Sequence, residues 1–555
     1  MLVGDGTPLD ELPISVFDCQ TTGASPAHGH LTEVAWSILA PGRIPTGPAI
    51  HSFLVALPPG ASIPARIQRI TGIDEEMLEG GIQASELARL VQPVISDTVP
   101  MAHFASFEGR WIGHLLSRHL RVDTPPFFIC TREIARRLHP AVPRKGLRAL
   151  AGYLGHCMGE KRRAQDHVLA TVRIWSCLRE DLLRSGIGTL GKLRQYLDRP
   201  PPSGPGRFDY PLPRKVRLAL PDSPGVYRLL SADGSVLYIG KASSLKSRVN
   251  SYFTRRKGPG KILELVSQVH DVQVSECETP LESALLEFDS IREFDPPYNV
   301  ALRDREERIC LLSRDLGNVI HEQVDEPVWG PVGESSPALL LAGVLEAVKK
   351  GDVIPPGRLG LDHLPLEEGA IEEGFRDFGM SIFPDGEHSL GRLLAAGRRM
   401  WMERREERSG EDGLEDPGED AGAPKEEIDA EGVMKHLAWI AAAGARDLLR
   451  GAWFRLLGWS TLSWEPRGGC GTRVLRMSRG EVAAARWVSK EEDIGGVRTP
   501  ERPLAGLLDP RVYGRLRVLD LELRRITCEG TLRSLLPGEG AGLGIEGMSR
   551  LYEHV

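Results

Sequence analysis

"PGVYRLLSADGSVLYIGKASSLKSRVNSYF", Pro224 to Phe253, decides how the centre of this chain is read. Two strand-like runs, VYRLL and VLYIG, flank Asp233-Gly234, a strong hairpin turn signal. If those two residues form the loop, cross-strand partners carry numbers summing to 467, so Tyr238 faces Leu229 and Gly240 faces Tyr227. Both tyrosines then project from one side of the ribbon, with open space over the Tyr227 ring opposite Gly240. The following stretch reads as a helix capped by Ser243 or Ser244. Leu245, Arg248, Val249 and Tyr252 fall at i, i+3, i+4 and i+7 and share a face. An arginine on a partly apolar face calls for an anion, and phosphate suits a guanidinium best.

Outward from this hairpin, Gly234 to Leu263 holds seven Lys or Arg residues and no acid. In a chain of formal charge −7 that is a local basic footprint rather than a basic coat. A second helix is expected from "TPLESALLEFDSIREF", with Thr279 and Glu282 as a capping box and Pro280 at the first helical position. Its apolar stripe is Leu281, Ala284, Leu285, Phe288 and Ile291, and Glu287 lies at the edge of that stripe. Spacing alone leaves Glu287 either a border salt bridge or a site carboxylate.

The chain has 555 residues, room for several cores, and its 41% hydrophobic and 26% charged composition is that of an ordinary soluble protein. Its eight cysteines form no C-x-x-C pair, so neither a disulfide framework nor a zinc ribbon is indicated. No signal-peptide pattern and no apolar run of membrane-spanning length is present, so a cytoplasmic, reducing setting is expected. "DRPPPSGPG", Asp198 to Gly206, follows a helical pattern ending near Leu197 and reads as a linker. Glu403 to Glu427 is charged, almost free of large apolar residues, and expected to be disordered. The expected fold is α/β and multidomain. Residues 1–185 form a first α/β domain and 186–214 a Pro/Gly-rich linker. Residues 215–305 form a small α/β domain, and 306–402 an extension without an assigned role. Residues 403–428 are a charged linker, and 429–555 a mostly helical α+β part.

In the first domain, "ISVFDCQTTG", "RITGI", "MAHFASFEGRWI" and "EKRRAQDHVLATVRIW" follow one another in an order that resembles the DnaQ-like (DEDD) 3′–5′ exonucleases. The resemblance implies a ribonuclease-H-like fold and two Mg²⁺ ions on four carboxylates, with a His or Tyr helping to activate water. Asp18 matches the first ligand, but Gln20 stands in the second carboxylate's place and Glu108 in place of an aspartate. Arg162 replaces the family's histidine and His167 its final aspartate, while Asp166 is displaced by about 100° of helical rotation. A neutral amide and an imidazole bind Mg²⁺ weakly. The expectation is a fold kept for positioning or binding DNA or protein, not for exonuclease chemistry.

In the central domain, "GVY…YIGK" followed by "LKSR", "SYF", "ALLE" and "PPYN" resembles the GIY-YIG endonucleases, in the version found at the N-terminus of the UvrC excision-repair proteins. The resemblance implies a site made of Tyr227, Tyr238, Lys241, Arg248, Tyr252, Glu287 and Asn299. Glu287 would be the single ligand of Mg²⁺ or Mn²⁺, Arg248 and Lys241 would hold phosphate oxygens, and Asn299 would be structural. A tyrosine, Tyr238 in preference, would help activate the attacking water.

Beyond about Asp304 the pattern is weaker. "MKHLAWIAAAGARDLLRGAWFRLLGWSTLSWEP" has helical periodicity with tryptophans assigned to core packing, and "RVLRMSRGEVAAARWV" reads as a strand followed by a helix. Neither a second nuclease motif, nor a helix-hairpin-helix, nor a UvrB-binding segment is recognised. The leading expectation is a single-incision, metal-dependent DNA endonuclease acting on damaged or distorted duplex, possessing or lacking a UvrB-like partner. Two alternatives stay open: a non-catalytic DNA-binding scaffold, and an exonuclease using Asp18 and Glu108.

Overall fold

A computed structural model describes residues 3–42, 47–122, 127–202, 207–254, 260–299, 308–322, 328–361, 364–409, 427–466, 471–488 and 508–536. The chain divides into two compact units, Met1–Ser283 with Ser290–Arg303, and Ala284–Asp289 with Asp304–Val555.

The first unit opens with strands β1 (Ile14–Thr21), β2 (Leu31–Leu39) and β3 (His51–Leu54), followed by helices α1 (Ala65–Thr71), α2 (Glu75–Glu79) and α3 (Ala84–Asp97). Then come β4 (Val99–Ala102), α4 (Ala105–Leu120), β5 (Ile129–Cys130), α5 (Thr131–Leu138), α6 (Leu147–Tyr153), α7 (Ala164–Arg184) and α8 (Leu190–Asp198). The sheet order is β3-β2-β1-β4-β5, with β1 antiparallel to β2 and parallel to β4. Strand β1 is buried along nearly its whole length, as a central strand covered on both faces must be. Ile14 and Val16 pack with α5, α6 and α7, while Phe17 and Cys19 pack with α3 and α4. Helix α8 adds Leu190 and Leu193 to the same core, so the packed chain runs past residue 185.

The same unit continues with α9 (Arg214–Leu218), β6 (Gly225–Leu230), β7 (Val236–Ala242), α10 (Leu245–Thr254), α11 (Gly260–Val266), β8 (Asp271–Glu276) and the two ends of α12 (Pro280–Phe294), whose residues Ala284–Asp289 group with the second unit. Here the sheet order is β7-β6-β8, all antiparallel. Ser244 caps α10 by accepting from the Ser247 N–H at 3.1 Å. Thr279 caps α12 by accepting from the Glu282 N–H at 3.3 Å and donating its hydroxyl to the Glu282 carboxylate at 2.8 Å. The five stripe residues of α12 are all buried.

The second unit holds β9 (Ile309–Leu312), β10 (Val319–Ile320), β11 (Trp329–Gly333), α13 (Leu341–Lys350), α14 (Pro356–Leu359), α15 (Ala370–Ile382), α16 (Leu390–Ser409) and α17 (Ala430–Leu457). It ends with β12 (Thr461–Trp464), β13 (Thr472–Ser478), β14 (Glu481–Val488), α18 (Pro510–Cys528) and β15 (Leu532–Leu536). The 28-residue α17 is its axis, its buried side supplying Val433, Leu437, Ile440 and Leu448 to the core. Trp453, Trp459 and Trp464 are buried, as core packing requires, whereas Trp439 is exposed.

Two expectations change here. The segment after Ser478 is a strand, not a helix, because Arg479 and Gly480 both take positive φ (53° and 71°) and turn β13 back into β14; two such residues in succession make a hairpin turn. The charged run begins inside α16, which extends to Ser409; residues 410–426, also expected to be disordered, lie outside the described residues. Among the described residues no helix is long and apolar enough to cross a membrane, and the described cysteines are free thiols.

Candidate functional site

The β6–β7 hairpin sets the first cluster. Tyr227 pairs with Gly240 and Leu229 with Tyr238, the expected register. The turn that produces it is different. Ser231 N–H bonds to Ser235 O at 3.0 Å and Gly234 N–H to Ser231 O at 3.1 Å, so the loop is Ala232 to Gly234, three residues, with Gly234 at φ 84°. That loop alone would slip the ladder by one residue. Leu237, inserted as a bulge between the pairs Leu230–Val236 and Leu229–Tyr238, restores it. The bulge leaves the Leu237 carbonyl free to accept from the Tyr298 N–H at 3.2 Å. Next to it, the Asn299 amide accepts from Ile239 N–H and donates to Ile239 O, both at 2.8 Å. Asn299 therefore acts as a short surrogate strand along β7, fixing backbone rather than facing the cleft.

The three tyrosines form an equilateral set. Tyr227, Tyr238 and Tyr252 have every pair of ring centroids 6.1 Å apart. The Tyr227 and Tyr252 hydroxyls are hydrogen-bonded at 2.8 Å, and the Arg248 guanidinium lies 5.2 Å from the Tyr252 ring centroid. The space expected over Tyr227 is filled by its own phenol: a Cβ on Gly240 would sit 2.3 Å from the Tyr227 oxygen. Burial first, then the neighbouring Tyr252 and Tyr238, push Tyr227 well above the ordinary phenol range. For Arg248, burial opposes the charge, but the Tyr227 hydroxyl and the other phenols outweigh it and raise its pKa.

A cleft of about 370 Å³ opens beside this cluster, lined by Tyr238, Arg248, Ser251, Tyr252, Lys261, Ile262, Leu265 and Tyr298. Three of the expected residues thus share its wall, and Tyr227 sits behind them. Lys261 and Tyr298 join them although no single-residue signal marked them; Lys261 belonged to the basic run and Tyr298 to "PPYN". Strand alternation puts the exposed Lys241 out of step with Tyr238 and Gly240, opposite Val226. Glu287 is half-buried on α12, in the turn 284–289 that groups with the second unit. Two turns after Glu287 in the same helix, the Phe294 ring meets Arg228 of β6 at 4.9 Å.

The second cluster lies at the end of β1. Asp18, Gln20, Glu108, Arg162 and His167, the five residues singled out by the sequence, all line one cleft of about 470 Å³. The buried Glu33 accepts from Arg163 at 2.8 Å and from the Ala164 N–H at 2.8 Å, which pins the start of α7 and sets His167 in its first turn. Asp18 is spoken for: Gln20 Nε2 donates to its Oδ2 at 2.7 Å and His167 Nδ1 to its Oδ1 at 3.1 Å. Glu108 is buried, and burial followed by the Asp18 charge raises its pKa well above the carboxylate range. Its Oε2 has no hydrogen-bond partner among the described residues. Asp166 does not line this cleft. Buried His103 is driven down to about 4 chiefly by desolvation; its Nε2 donates to Lys145 O at 2.9 Å and its Nδ1 accepts from Thr131 at 3.0 Å. With Gln20 and His167 bonded to Asp18, the cleft offers, among the described residues, only the carboxylates of Asp18 and Glu108, and such a donor set is poor for a pair of divalent ions, which needs several anionic oxygens. Among the described residues no group of three or more His, Cys, Asp or Glu is arranged to hold a metal ion.

Comparison with known proteins gives two matches along the chain. The family model for the UvrC-like GIY-YIG domain matches residues 223–300, and that for the exonuclease family matches residues 15–164. A Mycobacterium tuberculosis protein bearing the name bifunctional exonuclease/endonuclease protein is 30% identical over 304 residues, 53% of this chain and 46% of its own. The UvrABC system protein C of a Psychrobacter strain is 51% identical over 85 residues, 15% of this chain and 14% of its own. The magnesium-bound GIY-YIG N-terminal endonuclease domain of UvrC from Thermotoga maritima is 31% identical, covering 16% of this chain and 94% of its own with a TM-score of 0.15. The chain thus spans about half the length of the first of these relatives, 46%, and 14% of the second. Two family matches at separate stretches, each on its own sheet, make this chain a fusion of an exonuclease-type domain with a UvrC-like GIY-YIG domain.

Proposed function

We propose that the GIY-YIG domain is a divalent-metal-dependent endonuclease that hydrolyses a DNA phosphodiester. The reading extends to a single incision beside a lesion or distortion in excision-type repair, in the cytoplasm, with the exonuclease-type domain as accessory. The observation that carries it is the convergence of Tyr238, Tyr252 and Arg248 on one cleft beside Lys261. Phosphate oxygens suit the Arg248 guanidinium and the Lys261 ammonium, the two cations at that wall. Lys241, out of step with the tyrosines, is better suited to the flanking backbone of the DNA.

The tyrosines divide the work by environment. Tyr227 is fully buried, bonded to Tyr252 and poor at giving up its proton. Its role is to hold Tyr252 and Arg248 in place. Tyr238 is half-buried and faces the cleft, so it is the phenol that takes the proton from attacking water. The Glu287 carboxylate, a hard oxygen donor, would hold one Mg²⁺ or Mn²⁺. When bound, such an ion supplies charge stabilisation at the scissile phosphate and leaving oxygen. A UvrB-like partner remains part of this proposal only through the resemblance to UvrC.

The test is cleavage of an end-labelled duplex carrying a bulky adduct, with Mg²⁺ or Mn²⁺, by the wild type, Glu287→Ala and Asp18→Ala. A discrete incision lost only in Glu287→Ala supports the proposal. A ladder of shortened 3′ ends lost only in Asp18→Ala would transfer the activity to the first domain, and no cutting by any form would favour the scaffold reading.

A further inference from the structure

Helix α6 of the exonuclease-type domain touches both halves of the first unit. Gly146 and Leu147, at its start, line the 470 Å³ cleft. Gly152, near its end, abuts the GIY-YIG domain. His270 Nε2 donates to the Gly152 carbonyl at 2.7 Å. The Gln268 side chain lies so close that a Cβ on Gly152 would fall 2.2 Å from Gln268 Cγ. Glycine inside a helix costs about 1 kcal/mol relative to alanine, so this position sacrifices helix propensity for close approach.

Gln268 is buried and cannot swing away without losing two bonds: its Nε2 donates to Glu264 O at 3.0 Å and to the Tyr298 hydroxyl at 2.6 Å. Tyr298 in turn donates to the Glu264 carboxylate at 2.8 Å. Tyr298 and Leu265 are walls of the cleft that holds Tyr238 and Arg248. Arg148, four residues before Gly152 and on the same face of α6, is a charge close enough to act on Tyr298. It is itself fixed by bonds to Gly159 O at 2.6 Å and Glu160 O at 2.9 Å.

We infer that the exonuclease-type domain is a positioning element of the GIY-YIG cleft, acting through Gly152 and Gln268 to hold Tyr298 against the reacting phosphate. This rests on the endonuclease reading above and gives the first domain a task that needs no metal. About 9 Å of helix, six residues at 1.5 Å each, separates the Gly146 end from the Gly152 end. One rigid rod therefore fixes the two clefts to one another.

The test uses the full chain and two readouts: incision kinetics, and amide hydrogen exchange, which is independent of activity. Gly152→Ala should speed exchange over residues 261–270 and at Tyr298 while β1 and β4 stay as protected as in the wild type. It should lower kcat about tenfold with KM within twofold. Gln268→Gly removes the atoms that the new Cβ strikes, so adding Gly152→Ala to it should change kcat less than twofold. Tyr298→Phe should reproduce the loss in kcat. Unchanged exchange in Gly152→Ala, or a tenfold loss repeated on the Gln268→Gly background, overturns the inference. Faster exchange in a chain whose wild type makes no incision would instead overturn the nuclease reading and leave the contact standing.

Discussion

The two clefts of the first unit are opposite solutions to placing polar groups near a phosphate. At the end of β1, two acidic side chains are crowded together, and the crowding is relieved by neutral and basic neighbours: Gln20 and His167 bond to Asp18, while burial and the Asp18 charge raise the Glu108 pKa. Beside β7 the polar groups are phenols and cations, and the Tyr227–Tyr252 bond and Arg248 leave the wall neutral to positive. The first arrangement presents two carboxylates, one of them bonded to Gln20 and His167. The second places Arg248 and Lys261 among phenols, a lining suited to an anion. The strand that carries Asp18 is held in the core by Val16 and Phe17, so the fold around this cleft does not depend on the charges that line it.

The sharpest way to break this comparison is Glu287→Gln, which should lower the incision rate about 10³-fold if one carboxylate holds the cation, read by single-turnover cleavage at saturating DNA. Equal loss on Asp18→Asn would erase the contrast. Tyr238→Phe follows, at about 10²-fold on kcat, the usual contribution of one general base; Tyr227→Phe should cost less, because that phenol positions rather than transfers. A smaller effect is expected at Gly240. Alanine there would force apart the fully buried Tyr227 ring and the strand beneath it, a destabilisation of about 1–3 kcal/mol by overpacking, measured by urea unfolding.

The smallest effect tests the other cleft. Glu108 takes up its proton more tightly folded than unfolded, so its own contribution to stability should fall as pH rises through the unfolded carboxylate range at about 4.3 and on toward the raised folded value. Glu108→Gln, which stays neutral, should flatten that slope in melting curves recorded across pH while leaving incision unchanged. A steeper downward slope in Glu108→Gln than in the wild type would mean that folding does not raise the Glu108 pKa.

How far the sequence carried differs from one region to the other for physical reasons. The β6–β7 register, counted from a two-residue Asp233-Gly234 loop, came out right because the Leu237 bulge cancels the third residue of the actual loop. The helix face of Leu245, Val249 and Tyr252 was legible from spacing, and all three are buried. Gathering of the five first-domain residues followed from motif order. What stayed hidden depends on contacts between distant segments. Tyr298 reaches the cleft only because the bulged carbonyl of Leu237 anchors its backbone, and Lys261 only because α11 packs beside α10. The strand "EVAAARWV" read as a helix because alanine favours one; the paired positive φ values of Arg479 and Gly480 and the ladder to β13 override that preference. The bonds that occupy Asp18 had no sequence signal beyond the substitutions themselves.

Strand β7 lies at the edge of its sheet. An edge strand with unpaired backbone groups is a template for another chain, and a protein that joined neighbours edge to edge would lose both solubility and access to the cleft. The Asn299 amide, bonded to both polar groups of Ile239, blocks that template at its centre with one side chain. Replacing Asn299 by leucine would thus be felt first in the colloidal behaviour of concentrated protein, as self-association along an uncovered strand.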